Sequence, residues 1–177
     1  MVYKRILYLV DKVPEIPYFI LALALIFKNP YGSLGHYFSG AFIFLVVTLV
    51  MGVILKLTFR TSRPKQYKSR FGLFKYGFPS LHTMISVGAL SFVYFINPWL
   101  TLILLPVGLF YVYARIIERY HTKIDVVGGA LIGIATGIVI GYNMEYFALP
   151  ADIEFIFSTL FFTIPVAASY GRVRKLI

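Results

Sequence analysis

Long apolar segments separated by short polar connections constrain this chain more than any other feature of its sequence. An α-helix needs about 20 mostly apolar residues to cross a bilayer, and such runs are helix candidates. Six runs qualify, approximately residues 13–27, 37–59, 80–96, 98–117, 124–147 and 153–170. They predict an all-α fold, a polytopic membrane bundle of about six helices.

The composition favours the same class of protein. Hydrophobic residues make up 59% of the 177 residues and charged residues 14%, whereas the apolar share of a soluble domain is nearer half. We expect one membrane-embedded domain over residues 1–177, with an interfacial amphipathic helix at 1–12 and a basic loop at 60–78. The chain has no cysteine, which excludes disulfides, thiolate catalysis and cysteine-ligated metals.

Glycine recurs every fourth residue in the fifth apolar run, at Gly129, Gly133, Gly137 and Gly141. This spacing lines one helix face with residues that let a neighbouring backbone approach closely. The pattern predicts a central packing helix.

Charge is distributed unevenly along the chain. No carboxylate occurs between Glu15 and Glu118, while nine lysines and arginines fall in that interval. The alternative to a functional role for this cluster is a cytoplasmic loop that follows the positive-inside rule, or a basic surface attracted to anionic lipid head groups. Nucleic-acid binding fits poorly, because membrane runs flank the basic loop on both sides and no nucleic-acid module is recognisable.

Ionisable groups near membrane runs are costly to bury and are usually functional. Here they gather at the ends of the second to fifth runs, in three stretches that alternating spans place on one membrane face. The residues of these stretches are Lys56 and Arg63-Pro64, then Pro79-Ser80-Leu81-His82, then Arg115, His121 and Asp125.

The third stretch pairs a histidine with a carboxylate. If the fifth helix begins near Thr122, the Asp125 carboxylate reaches the His121 imidazole just before the helix. A carboxylate bonded to one ring nitrogen fixes the tautomer and leaves the other nitrogen to attack. The alternative is an aspartate that only caps the helix.

The second stretch opens the third helix with a proline and a hydroxyl. The N–H groups of a helix N-terminus bind phosphate oxygens, so Ser80 marks an anion site, although a plain N-cap is the alternative. His82, one turn into the helix, can donate a proton to a leaving alkoxide.

Lys56, Arg63 and Arg115 supply positive charge for the oxygens of a transferring phosphoryl group. Each alone could be a snorkelling anchor. A metal site made of His82, His121 and Asp125 is the rival interpretation. The three nearby cations disfavour it, because they repel a metal ion and attract an anion.

Together these residues resemble the three-part signature of the type 2 phosphatidic acid phosphatase superfamily, over about residues 55–125. The resemblance implies a metal-independent lipid phosphatase with no cofactor and a phosphohistidine intermediate. It makes His121 the nucleophile, oriented by Asp125, and His82 the proton donor to the leaving group. The residues that it implies for phosphate binding are Lys56, Arg63, Ser80, Leu81 and Arg115.

Two residues depart from the family pattern. The family usually has glycine where this chain has Leu81, and serine where it has Ala114. We expect the Leu81 side chain to narrow the entrance or contact a lipid while its N–H still serves phosphate. Ala114 leaves the phosphate site one contact poorer.

Small members of the family act on several lipid phosphates, and further cations here fit a head group with more than one phosphate. They are Arg60, Lys65, Lys68, Arg119 and Lys123. Lipid A 1-phosphate is the first expectation; phosphatidylglycerophosphate and undecaprenyl pyrophosphate are the alternatives. A non-catalytic lipid-phosphate binder or transporter is a further alternative, although no internal repeat supports it.

The expected location is a bacterial inner membrane, with the site on the outer, periplasmic face as in relatives. The positive-inside rule favours the cytoplasmic face instead, because both termini and the site loop carry lysines and arginines. The expected partners are the lipid substrate and the phospholipid bilayer. We expect no nucleic acid and no obligate protein partner.

Overall fold

The computed structural model describes residues 34–64, 75–147 and 150, with a few helical positions between 152 and 163. These residues form α-helices, a 3-10 helix and a further 3-10 residue at Lys75, and no strand occurs among them. The long helices are α1 (Leu34–Phe59), α2 (Leu81–Ile96), α3 (Pro98–Ile117) and α4 (Lys123–Tyr142), and the 3-10 helix is Met144–Phe147.

The prediction of an all-helical membrane protein is confirmed. Among the described residues, three helices are long and apolar enough to cross a membrane: Ser39–Phe59 within α1, then α3 and α4, while α2 is a shorter apolar helix. The first predicted run, 13–27, lies outside the described residues, as does the interfacial helix at 1–12. The last run, 153–170, is described only at scattered positions.

Two predicted boundaries need correction. Helix α1 is already helical at Leu34, before the predicted 37. Helix α4 ends at Tyr142, because Asn143 leaves the helical conformation and its side-chain amide donates to the Val139 carbonyl at 2.7 Å. The predicted run to 147 is therefore wrong, since its last residues form the separate 3-10 helix.

Contacts divide the chain into two compact units, Ile43–Asn143 and the pair of segments Met1–Phe42 and Met144–Ile177. The signature residues all lie in the first of these units. That unit contains most of α1 and the whole of α2, α3 and α4.

The glycine face of α4 packs against the backbone of α2. A Cβ atom on Gly129 would lie 2.7 Å from the Ser80 carbonyl oxygen, and one on Gly133 would collide with the Met84 carbonyl. Gly137 faces Gly88 in the same way. Of the three long apolar helices, α4 has the largest buried share, 44% of its apolar window against 22% for α1. The predicted packing role of the glycines is confirmed.

Aromatic residues gather where α2 ends, α3 begins and α4 ends. Phe95 and Tyr142 make an edge contact with ring centroids 6.1 Å apart, and Tyr94 and Trp99 are exposed nearby in the chain. Tyrosine and tryptophan are enriched at membrane interfaces. This end of the helices therefore marks one interface, and the signature residues lie at the other end.

Candidate active site

The three stretches meet where α1 and α3 end and where α2 and α4 begin. The Ser80 N–H donates to the Asp125 carbonyl at 3.0 Å, which joins the first residues of α2 and α4. The Lys56 side chain, in the last turn of α1, reaches the segment just before α2. Helix ends from all three stretches therefore form one polar cluster at one membrane face.

Lys56 is fully buried and bonds to the segment that we call the 76–79 loop. Its Nζ donates to the carbonyls of Tyr76 at 3.0 Å, Gly77 at 3.0 Å and Pro79 at 2.6 Å. An ammonium group has three N–H donors, and the loop provides one carbonyl acceptor for each of them. In this arrangement Lys56 fixes the backbone that leads into Ser80.

The 76–79 loop is also held from its other side. Arg63 Nε donates to the Tyr76 carbonyl at 3.1 Å, so this oxygen accepts from two signature cations. The Gly77 N–H donates to the Thr61 carbonyl at 2.9 Å, and the Phe78 N–H donates to Thr61 Oγ1 at 2.7 Å. The residues after α1 thus run beside the loop.

Asp125 serves two purposes at the start of α4. It forms a capping box with Thr122, whose N–H donates to Asp125 Oδ2 at 2.8 Å while Thr122 Oγ1 accepts from the Asp125 N–H at 3.1 Å. The same Oδ2 lies 3.6 Å from His121 Nδ1, slightly beyond hydrogen-bond range. Catalytic hydrogen bonds are often long before substrate binds, so capping and orientation of the imidazole are compatible.

The surroundings of His121 favour the neutral imidazole. Burial lowers the pKa of His121 below its usual value, and the charges of Arg63 and Lys56 lower it further. The Asp125 carboxylate acts in the opposite direction. A neutral ring with Nδ1 towards a carboxylate presents Nε2 as the nucleophilic nitrogen.

Gly77 lies against the carboxylate that faces His121. A Cβ atom on Gly77 would lie 2.8 Å from Asp125 Oδ2 and 3.2 Å from both the Ser62 carbonyl oxygen and Thr61 Oγ1. Only a residue without a side chain fits here without moving Asp125 or the backbone after α1.

Ser80 occupies the N-cap position of α2, but its side chain makes no capping bond. Instead Ser80 Oγ accepts a hydrogen bond from Thr83 Oγ1 at 3.0 Å. The alternative of a plain N-cap is therefore wrong for the Ser80 side chain. The first N–H groups of α2 are not covered by it.

The expected position of the Leu81 side chain is wrong. Leu81 is buried, and a Cβ atom on Gly52 of α1 would collide with Leu81 Cδ2 and lie 3.3 Å from Met84 Sδ. The leucine therefore fills space that Gly52 leaves open, instead of narrowing an entrance or contacting lipid. Its backbone N–H remains a predicted phosphate ligand.

Arg115 and His82 complete the cluster. Arg115 is buried near the end of α3, with its guanidinium 5.9 Å from the centre of the Tyr120 ring. His82 lies within electrostatic range of Arg115, His121, Arg63 and Lys56. Ala114, beside Arg115, is buried and provides no polar atom beyond its backbone.

The structure describes three of the five predicted head-group cations. Arg60 and Arg119 follow α1 and α3 in the left-handed conformation, with φ of 49° and 57°, and both are exposed. Lys123 is exposed at the first position of α4. Lys65 and Lys68 lie outside the described residues.

The rival interpretation of the sequence was a metal site made of His82, His121 and Asp125. No three histidine, aspartate or glutamate side chains among residues 34–64 and 75–147 form a group that could hold a metal ion.

Sequence reasoning missed three residues that shape the cluster: Gly52, Gly77 and Thr83. No sequence pattern marked Gly52 or Gly77, because the residues that they contact in space come from distant parts of the chain. Thr83 was detectable, since residues three apart on a helix share a face and Thr83 is three residues after Ser80.

A comparison with protein families gave a match to the PAP2 superfamily over residues 36–149. The chain belongs to the PAP2 superfamily. No curated protein and no solved structure matched the chain. Membership supports a membrane phosphatase, a hydrolase that acts on lipid phosphates. The matched region contains every signature residue described above.

Proposed function

We propose that this chain is an integral-membrane lipid phosphate phosphatase that works through a phosphohistidine on His121 without a metal ion. One observation supports it most directly: His121 Nδ1 faces Asp125 Oδ2 at 3.6 Å inside a cluster of signature cations. This arrangement provides an oriented nucleophile and fixed positive charge, which are the main requirements of phosphoryl transfer.

In the proposed first step, His121 Nε2 attacks the phosphorus and the bond to the lipid oxygen breaks. His82 gives its proton to that oxygen, so the lipid leaves as an alcohol, or as a phosphate from a pyrophosphate. In the second step His82 takes a proton from water, which attacks the phosphohistidine and releases inorganic phosphate. His121 and His82 then return to their starting states.

The phosphate oxygens have donors on several sides in this proposal. The open N–H groups at the start of α2, including that of Leu81, and the Ser80 hydroxyl lie at one helix end. Arg115 and Arg63 add guanidinium groups, which match two oxygens at once. The Lys56 charge acts from within the 76–79 loop.

Phosphate release by purified protein in detergent, with a chelator present, tests the reaction. Dioctanoyl phosphatidic acid is a suitable probe, and we expect turnover by the wild type and none by His121→Ala. Ile124→Ala is the matched control, because Ile124 is close in sequence but exposed. Lipid binding without any turnover by the wild type would favour the binder or transporter instead.

For the substrate we propose lipid A 1-phosphate. The exposed cations Arg60, Arg119 and Lys123 flank the signature residues in the chain and suit a head group with a second phosphate. Rates on lipid A, phosphatidylglycerophosphate and undecaprenyl pyrophosphate at matched detergent concentration test this choice. Arg60→Gly sharpens the test, because glycine accepts the left-handed conformation while the cation is lost. If Arg60→Gly lowered the rate on phosphatidic acid as much as the rate on lipid A, that result would contradict a head-group role for Arg60.

We further propose that the site faces the periplasm across a bacterial inner membrane. The lysines and arginines on this face include the signature cations, which are present whichever way the face points. The positive-inside rule is therefore a weak guide to its orientation. Because the chain has no cysteine, single cysteines can be labelled without background. An impermeant thiol reagent on intact spheroplasts should label Lys75→Cys at the site end and leave Pro98→Cys at the aromatic end unlabelled. The reverse pattern would place the site in the cytoplasm.

A further inference from the structure

We propose that Thr83 is a positioning residue for the phosphate site. Its hydroxyl holds the Ser80 hydroxyl so that Ser80 donates its own proton to a phosphate oxygen. This inference rests on the proposed function and adds to it a residue outside the three signature stretches.

The hydrogen bond between the two side chains replaces the usual cap of α2. A serine at the N-cap normally accepts from the N–H of the second or third helical residue. Here the Ser80 side chain makes no such bond, and Thr83 Oγ1 donates to Ser80 Oγ at 3.0 Å. Both residues are fully buried, so water does not compete for this contact.

The direction of the bond determines what Ser80 can do. A hydroxyl has one proton to donate and two lone pairs that accept. In the proposed arrangement Thr83 is the donor across this 3.0 Å contact, so the Ser80 proton remains for another acceptor. No other hydrogen bond to Ser80 Oγ occurs in the described part of the chain. A phosphate oxygen at the uncapped start of α2 is an acceptor of the required chemistry.

The Thr83 hydroxyl bonds to the Ser80 side chain and not to the backbone of its own helix. A helical threonine usually donates to the carbonyl four residues earlier, which for Thr83 belongs to Pro79. That carbonyl accepts from Lys56 Nζ at 2.6 Å, whereas the Thr83 hydroxyl bonds to Ser80 Oγ. In contrast, Ser86 follows the usual pattern and donates to the His82 carbonyl at 2.7 Å.

The backbone of Ser80 is fixed independently of its side chain. Its N–H donates to the Asp125 carbonyl at 3.0 Å, and Gly129 allows α4 to approach it closely. The backbone contact sets where Ser80 lies, so the remaining variable is the rotation of its hydroxyl. Thr83 controls that rotation.

A double-mutant cycle between Thr83 and Ser80 tests the proposal. Thr83→Val keeps the shape of the side chain and removes the hydroxyl, whereas Thr83→Ser keeps the hydroxyl. With dioctanoyl phosphatidic acid in micelles, we expect Thr83→Val to lower kcat/KM by about tenfold, the effect of one lost hydrogen bond. In a Ser80→Ala background the same change should have little effect, and Thr83→Ser should stay near wild type.

Thr101→Val in α3 is the matched control, because its hydroxyl donates to the Leu90 carbonyl at 3.3 Å, far from the site. It should leave kcat/KM unchanged. Orthovanadate, which imitates the transition state of phosphoryl transfer, gives a second readout by calorimetry and needs no turnover. Thr83→Val should weaken orthovanadate binding in the wild type and have little effect on it in Ser80→Ala.

The proposal would be overturned if Thr83→Val lowered kcat/KM by the same factor in the wild type and in Ser80→Ala. A loss for Thr83→Ser as large as that for Thr83→Val would also overturn it. A wild-type protein that releases no phosphate from any lipid would instead overturn the proposed function. The vanadate measurement would still decide the role of Thr83.

Discussion

The Leu81 side chain occupies the space that a side chain at Gly52 would need. A Cβ atom on Gly52 would collide with Leu81 Cδ2 and lie 3.3 Å from Leu81 Cγ. The glycine of α1 and the leucine of α2 are therefore complementary, although the family usually has glycine at position 81. The departure from the family pattern concerns packing between two helices.

Leu81→Ala should destabilise the protein by about 2–4 kcal/mol, because it leaves a cavity beside Gly52. Gly52→Ala should also destabilise it, through a collision with Leu81. In the double variant the added methyl group enters the vacated space, so the two costs should not add. Thermal unfolding in detergent measures the cycle. Additive losses, or a change in lipid preference with unchanged stability, would contradict the packing role.

Gly77→Ala should lower kcat with little change in KM. The new methyl group would lie 2.8 Å from Asp125 Oδ2, and displacing this carboxylate misorients His121. Steady-state kinetics on phosphatidic acid measure the effect.

Gly141→Ala is the control for Gly77→Ala, because its added Cβ would also meet a neighbour at 2.8 Å, the Phe95 ring at the aromatic end. It should affect thermal stability and leave kcat unchanged. An equal loss of kcat in both variants would contradict the proposed effect of Gly77 on the Asp125 carboxylate.

Lys56→Met should loosen the 76–79 loop. The variant keeps most of the side-chain volume but leaves the Gly77 and Pro79 carbonyls without their buried donor, while the Tyr76 carbonyl still accepts from Arg63. Each unsatisfied group costs about 1–3 kcal/mol. Limited proteolysis should cut the loop region faster, and the unfolding temperature should fall. Lys75→Met, at an exposed lysine, should change neither. Unaltered proteolysis of Lys56→Met would mean that the lysine does not hold the loop.

The pH dependence of kcat/KM follows from the lowered pKa of His121. Only the neutral imidazole attacks phosphorus, so the rate should fall when the ring is protonated. Because burial lowers this pKa, the rate should stay high as the pH drops below about 6.5, the usual value for histidine.

Asp125→Asn should move the acid limb to still lower pH. The carboxylate raises the His121 pKa, so its loss makes protonation harder, while the maximum rate falls because the ring loses its orientation. A pH profile of both proteins measures the shift. An acid limb that moves to higher pH in Asp125→Asn would contradict the sign of this interaction.

The sequence was sufficient to predict the four long helices of the described residues and the meeting of the three stretches. Apolar runs define helices, and successive antiparallel helices bring alternate loops to one face, so Lys56, Ser80 and Asp125 were expected on the same face, where they can meet. The spacing of Gly129, Gly133 and Gly137 similarly predicted close packing of α4.

Contacts between distant segments could not be predicted in the same way. Whether Lys56 bonds to a loop or to phosphate depends on the backbone path of residues 76–79, which no local pattern encodes. Likewise, Leu81 points towards α1 because Gly52 happens to lie opposite, and only the packed helices reveal that. The end of α4 was missed because apolar residues continue past Asn143 into the 3-10 helix.

The most direct test of the account is the capture of the phosphohistidine. Wild-type protein should be mixed with a lipid phosphate that carries radiolabelled phosphate, quenched within the first turnover in alkali, where phosphohistidine is stable, and digested for mass spectrometry. The label should be found on His121 and should disappear in His121→Ala, whose turnover falls on the order of a thousandfold or more. Label on another residue, or normal turnover by His121→Ala, would contradict the proposed mechanism.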